Sequence, residues 1–76
     1  MSNKGWLPSR EQVEALRQNY PQGCRIELLG MDDRQAPSVG THGTVEGIDD
    51  AGQIMMAWDT GSSLSLLPDI DRFRKL

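Results

Sequence analysis

The stretch that decides the fold is Val39–Leu67, VGTHGTVEGIDDAGQIMMAWDTGSSLSLL. It holds five of the chain's eight glycines and most of its β-forming residues. Two turn signals divide it. Asp49-Asp50-Ala51-Gly52 separates Val45 and Ile48 from Ile54, Met56 and Trp58, with Gly52 placed to supply a positive φ. Asp59-Thr60-Gly61-Ser62 then separates that run from Leu64 and Leu66. Val45 and Ile48 are three apart, which breaks strict alternation. A bulge at Glu46-Gly47 restores both to one face and bends the strand. These are the central hairpins of a small barrel.

Working towards the N-terminus, Cys24–Leu29 alternates, with Cys24, Ile26 and Leu28 on one face and Arg25, Glu27 and Leu29 on the other. It reads as the first strand. Gly30–Val39 has loop composition and no periodicity, and Met31, Asp32, Asp33 and Arg34 are the first candidates for a recognition surface. The competing reading is a solvated loop with an internal Asp–Arg pair. Before the strand, Tyr20-Pro21-Gln22-Gly23 ends a helix, since proline cannot continue one. That helix spans about Arg10–Asn19 and opens on a capping box, with Ser9 as N-cap and Gln12 at N3. Val13, Leu16 and Tyr20 form its apolar stripe. A helix this short needs docking to persist, so it is expected to lie as a lid on the barrel, stapled by Trp6 and Leu7. A partner-binding helix is the alternative. Working towards the C-terminus, Ser63–Leu67 reads as a strand stopped by Pro68, and Asp69–Leu76 as a turn and a last short strand closed by Phe73.

The division expected is a flexible N-terminus over 1–8, a helix over 9–20 and a β-barrel domain over 21–76. At 76 residues there is room for one domain. A domain of that size buries only about 60% of its unfolded surface, so its stability rests on well-paired hairpins. The core should comprise Ile26, Leu28, Val45, Ile48, Ile54, Met56, Trp58, Leu64, Leu66 and Phe73.

Chemistry is poorly provided for, and no enzyme is expected. The single cysteine, Cys24, rules out an intrachain disulfide and a cysteine-based zinc site, and it reads as a small core residue. The only histidine, His42, has no second histidine or cysteine at ligand spacing. Asp49–Gly52 only superficially resembles a calcium loop, lacking the alternating acids and the closing glutamate. Gly40-x-x-Gly43 precedes a strand and offers no helix N-terminus to a phosphate. No cofactor and no metal are expected. With no signal peptide and no apolar run near the ~18 residues of a membrane helix, a cytoplasmic location without membrane contact is the expectation.

Net charge is −3, but the distribution is more informative. Between Met31 and Asp71 there are eight acids against one base, Arg34, while the other bases lie towards the chain ends. Such a centre repels phosphate backbones, so the expected partner is a protein with a basic patch. The acidic loops Asp32-Asp33, Asp49-Asp50 and Asp59 would meet it. A plainer reading is that several of these aspartates simply cap turns. Trp58-Asp59 is either a core plug followed by a turn or an aromatic–acid site for a cationic side chain. The candidate binding residues are therefore Asp32, Asp33, Arg34, Asp49, Asp50, Trp58 and Asp59. Two rivals stand beside this. One is a nucleic-acid-binding barrel using the basic ends (Arg10, Arg17, Arg25, Arg72, Arg74 and Lys75). The other is a structural or oligomer-forming subunit.

The ordered set Gly40, Thr41, Gly43, Thr44, Val45, Asp49, Asp50, Gly52, Ile54, Trp58, Asp59, Gly61, Ser62, Leu64, Pro68 and Asp71 resembles a family known as a domain of unknown function, number 4314. Pro21, Gly23, Met31, Asp32, Asp33 and Phe73 extend the resemblance over about Tyr20–Leu76, leaving the helix outside it. The resemblance implies a short bacterial, phage or mobile-element protein and brings no activity. More broadly, G-T-V, a hairpin and W-D-x-G-S look like SH3-type barrels, including the ribosome-associated KOW modules. That is likeness of fold and carries little functional weight. The fold expected is thus mainly β, a small five-stranded SH3-like barrel with one N-terminal helix.

Overall fold

The computed structural model describes residues 8–76. The expectations for 1–7, a frayed terminus and the Trp6–Leu7 staple, lie outside the described residues. One helix, α1 (Arg10–Asn19), is followed by four strands: β1 (Arg25–Gly30), β2 (His42–Ile48), β3 (Ile54–Trp58) and β4 (Arg72–Lys75). The strands make one antiparallel sheet in the order β3-β2-β1-β4.

The helix starts where its capping chemistry places it. Ser9 Oγ accepts the Gln12 amide at 3.1 Å and Gln12 Oε1 accepts the Ser9 amide at 2.8 Å, so two N-terminal donors are satisfied reciprocally. Its stripe faces inward. Val13 is buried, and Leu16 and Tyr20 pack partly buried against the core. Both hairpin expectations hold in detail. The β2–β3 register shifts between Val45 and Gly47, which is the bulge, and both Val45 and Ile48 are buried. Gly52 turns at φ 82°, with its amide bonded to the Asp49 carbonyl.

The core lies between the inner face of the sheet and α1, and comprises Val13, Ile26, Leu28, Val45, Ile48, Ile54, Met56, Trp58 and Leu66. Eight of these were expected from alternation; Val13 enters from the helix. Leu64 and Phe73 are corrections, since both are only half-buried. Gly43 lies opposite Trp58 in the β2–β3 register, and a Cβ there would sit 2.7 Å from Trp58 Cε3. The absence of a side chain at Gly43 is what lets the indole pack this close to β2.

The sheet does not close into a barrel, and a five-stranded barrel is not what forms. Ser63–Leu67, expected as a full strand, touches β3 through one isolated bridge at Ile54–Leu66. The reason is a competition for hydrogen bonds at Leu64. Its carbonyl accepts Trp58 Nε1 at 2.8 Å and its amide donates to Ser62 Oγ at 3.2 Å. Both ladder groups of Leu64 are taken by side chains, so regular pairing with β3 cannot propagate past Leu66. The strand expected fifth, closed by Phe73, is present as β4, antiparallel to β1.

Candidate functional site

The connection from Leu66 to β4 lies between two depressions in the surface. Asp71 is 9% exposed; its Oδ2 accepts the Leu67 amide at 2.8 Å and its own amide donates to the Leu67 carbonyl at 2.8 Å. This double clamp closes a tight turn at its base and holds the intervening side chains outward. Ile70 is 69% exposed as a result, beside a half-exposed Leu67. An isolated exposed isoleucine is unremarkable, but here it flanks a depression.

That depression is a groove of about 860 Å³. One wall is the loop after β1, with Met31, Asp32, Asp33 and Gln35; the other is the segment from Gly61 to Leu67. Leu64, Leu67 and Ile70 supply apolar surface, Ser62, Ser63 and Ser65 supply hydroxyls, and Asp71 lies against the clamped turn. The groove therefore combines an apolar strip with a carboxylate rim. A second groove of about 560 Å³ lies on the other side of Leu67 and Ile70, against Ala15 and Leu16 of α1.

The seven expected binding residues do not form one site. Asp32 and Asp33 line the larger groove, with Asp33 also accepting the Gln35 amide at 2.8 Å to shape its loop. Arg34 is exposed outside the groove, and the Asp–Arg pair considered for this loop does not form. Asp49 is occupied structurally, its Oδ1 accepting the amides of Ala51 and Gln53 at 3.0 and 2.8 Å. Asp50 is fully exposed and bonds Arg17 at 3.2 Å. Trp58 is 3% exposed and points its indole N–H at the Leu64 carbonyl, so no aromatic face is open to a cation there. Core plug is the reading that survives.

Asp59 is engaged by Arg25 through two parallel bonds, 2.8 Å from Nη1 to Oδ1 and 2.6 Å from Nη2 to Oδ2. Thr44 Oγ1 takes a further bond from Nη1 at 2.9 Å. These bonds hold the Asp59 carboxyl below its ordinary 3.8 and push the Arg25 guanidinium upward; the nearby His42 adds a small further lowering at Asp59. A carboxyl with a lowered folded pKa stabilises the fold above its unfolded value, and that contribution is lost as pH falls through the folded value. Thermal melts taken between about pH 6 and pH 3 should show this. Asp59→Asn is expected to lose less Tm on acidification than the parent, and added salt should shrink the difference because the pair is exposed. Equal acid sensitivity of the two proteins would dismiss the pair as a stabilising contact.

Sequence reasoning missed Leu67, Ile70, Asp71 and the serines as groove residues. Pro68-x-x-Asp71 was legible as an ordered pattern, but nothing in it announces that Asp71 folds back on Leu67. Among the described residues, no group of three or more His, Cys, Asp or Glu is placed to hold a metal ion. No described helix is long and apolar enough to cross a membrane.

A comparison with protein families matches residues 9–76 to a domain of unknown function, DUF4314. The chain belongs to that family. The match to DUF4314 starts at Ser9, so the helix expected to lie outside the resemblance is part of it. That agrees with the packing: Val13 of α1 is a core residue of this DUF4314 domain and not an appendage. No curated protein and no solved structure matches the chain.

Proposed function

We propose that this DUF4314 domain is a non-catalytic protein-interaction module. It accepts a basic segment of a partner protein in the groove between the Met31–Gln35 loop and the clamped turn. The observation that carries the reading is the pairing, in one groove, of an exposed apolar strip (Leu67, Ile70) with the carboxylates of Asp32 and Asp33. Apolar surface supplies affinity, and the acidic rim supplies encounter rate and selection for a cationic partner. Asp49 and Asp59 are withdrawn from the interface first expected, because their carboxylates are spent on a turn and on Arg25. We read the protein as a cytoplasmic accessory factor of a bacterial, phage or mobile-element system, and the fold as an open derivative of the SH3-type barrel.

The nucleic-acid alternative is weakened by the ion pairs. Of the basic residues it would use, Arg17 faces Glu14 and Asp50, Arg25 faces Asp59, and Arg74 faces Glu27. Carboxylates placed this way offset the positive field a phosphate backbone needs.

The test is affinity capture from a host lysate treated with nuclease, followed by titration of the recovered protein. Reversing Asp32 and Asp33 to lysine is expected to weaken the complex at least about tenfold, with a steeper loss at low salt. Asp50→Lys, outside the groove, serves as the control. Ile70→Ser should weaken the complex with little change in salt dependence. A partner lost on nuclease treatment would favour the nucleic-acid reading. A complex indifferent to Asp32, Asp33 and Ile70 would remove the groove from it.

A further inference from the structure

The sheet has two edges, and among the described residues only one is occupied. Along β3, Leu66 exchanges both backbone bonds with Ile54, and Ser62 accepts the Trp58 amide at 2.9 Å. Along β4 no such cover exists among the described residues. Among the described residues β1 is the only strand paired with β4, and the end of α1 meets β4 through side chains alone, with Lys75 Nζ donating to the Asn19 carbonyl at 2.6 Å. The bond from the Leu76 amide to the Arg25 carbonyl sets the phase of that ladder. Residues alternate in an antiparallel pair, so Arg74 and Leu76 turn their backbone groups to β1, while Phe73 and Lys75 turn theirs outward.

We propose that this edge takes up an extended, acidic segment of a partner protein as an additional strand next to β4. Outward N–H and C=O groups give such a segment its backbone bonds, and the flanking side chains select its sequence. On the outer face stand Arg72 and Arg74. Arg72 has no carboxylate partner among the described residues, and Arg74 shares Glu27 at 2.6 Å while keeping its side chain 62% exposed. On the inner face lie Phe73, edge-on to Tyr20 at 5.5 Å between ring centroids, and Lys75, whose Nζ sits 5.6 Å from the Tyr20 centroid. An added strand would therefore carry acids at alternate positions and apolar residues between them.

Charge also decides against a second copy of this chain as the occupant. Pairing β4 with itself places Arg and Lys against Arg and Lys, and like charges on facing strands repel. Basic residues on an edge strand commonly guard against self-association. The same charges leave the edge open to a strand of opposite sign. This surface is separate from the acidic groove and takes the opposite charge.

The test is selection from a random-peptide display library on the immobilised full chain, then titration of the enriched peptides by fluorescence polarisation. Enriched sequences are expected to alternate acidic and apolar residues. Lys75→Pro removes an outward amide and no ladder bond, but also the Lys75 Nζ bond to the Asn19 carbonyl at 2.6 Å, so Lys75→Ala is its reference: the proline variant should melt like the alanine variant while binding at least about tenfold more weakly. Arg72→Glu should weaken binding likewise and carries the test if the proline variant melts earlier than the alanine variant. Bound peptide should slow amide exchange at Phe73 and Lys75, and Ile70→Ser should leave binding intact. Failure to enrich any peptide, enrichment of sequences without acids, or binding indifferent to both edge variants would overturn the proposal.

Discussion

Trp58→Ala is expected to destabilise the domain by about 3–5 kcal/mol, the range for removing a buried aromatic side chain from a core. Two structural facts place it in the upper part of that range. The indole is 3% exposed and packs over Gly43, which has no side chain of its own to fill the void. Its Nε1 also bonds the Leu64 carbonyl at 2.8 Å, and that carbonyl would lose its partner. Small domains are stable by about 5–15 kcal/mol in total, so this single truncation should leave much of the population unfolded near 37 °C. Urea denaturation followed by circular dichroism measures it. Trp58→Phe keeps an aromatic ring in the core but loses the donor and part of the ring volume, so it should cost less than the alanine variant, at about 1–3 kcal/mol. A Trp58→Ala protein that melts like the parent would place the ring in solvent and revive the cation-site reading.

The second large effect is at Leu66. Truncation to alanine should cost about 2–5 kcal/mol, because the side chain is completely buried in the core. Leu64→Ala, two residues away, should cost about 1 kcal/mol, since that side chain is half-buried and lies along the groove. Simple alternation makes the two positions equivalent. The structure does not, and the difference between the two midpoints is the measurement. Equal losses would mean that Ser63–Leu67 behaves as a regular, fully paired strand.

These two variants also show where reading the chain succeeds. The capping box at Ser9 and Gln12, the turn at Asp49–Gly52 and the bulge at Glu46-Gly47 all came through as expected. Each depends on residues within about four positions of one another, where side-chain chemistry and backbone sterics act directly. The candidate site fared worse. Asp32 and Asp33 reached the groove, but Asp49, Asp59 and Trp58 did not, although an aspartate in a loop looks alike whether it is free or engaged. Arg25 is what engages Asp59, and it comes from 34 residues earlier in the chain. No local pattern carries that information.

The sequence by itself determined a small mainly β domain with one N-terminal helix, the extent of that helix, most of the inward set of apolar residues and an acidic centre. Tertiary structure decided the rest. Whether Leu64 extends a strand depends on where the Trp58 indole and the Ser62 hydroxyl come to rest. Which acids remain available depends on which cations the sheet register brings alongside. Local periodicity fixes which face a side chain takes, because that follows from backbone geometry alone. Hydrogen-bond and ion-pair partners are fixed only when distant segments meet, since each polar group takes the best partner that the assembled fold presents to it.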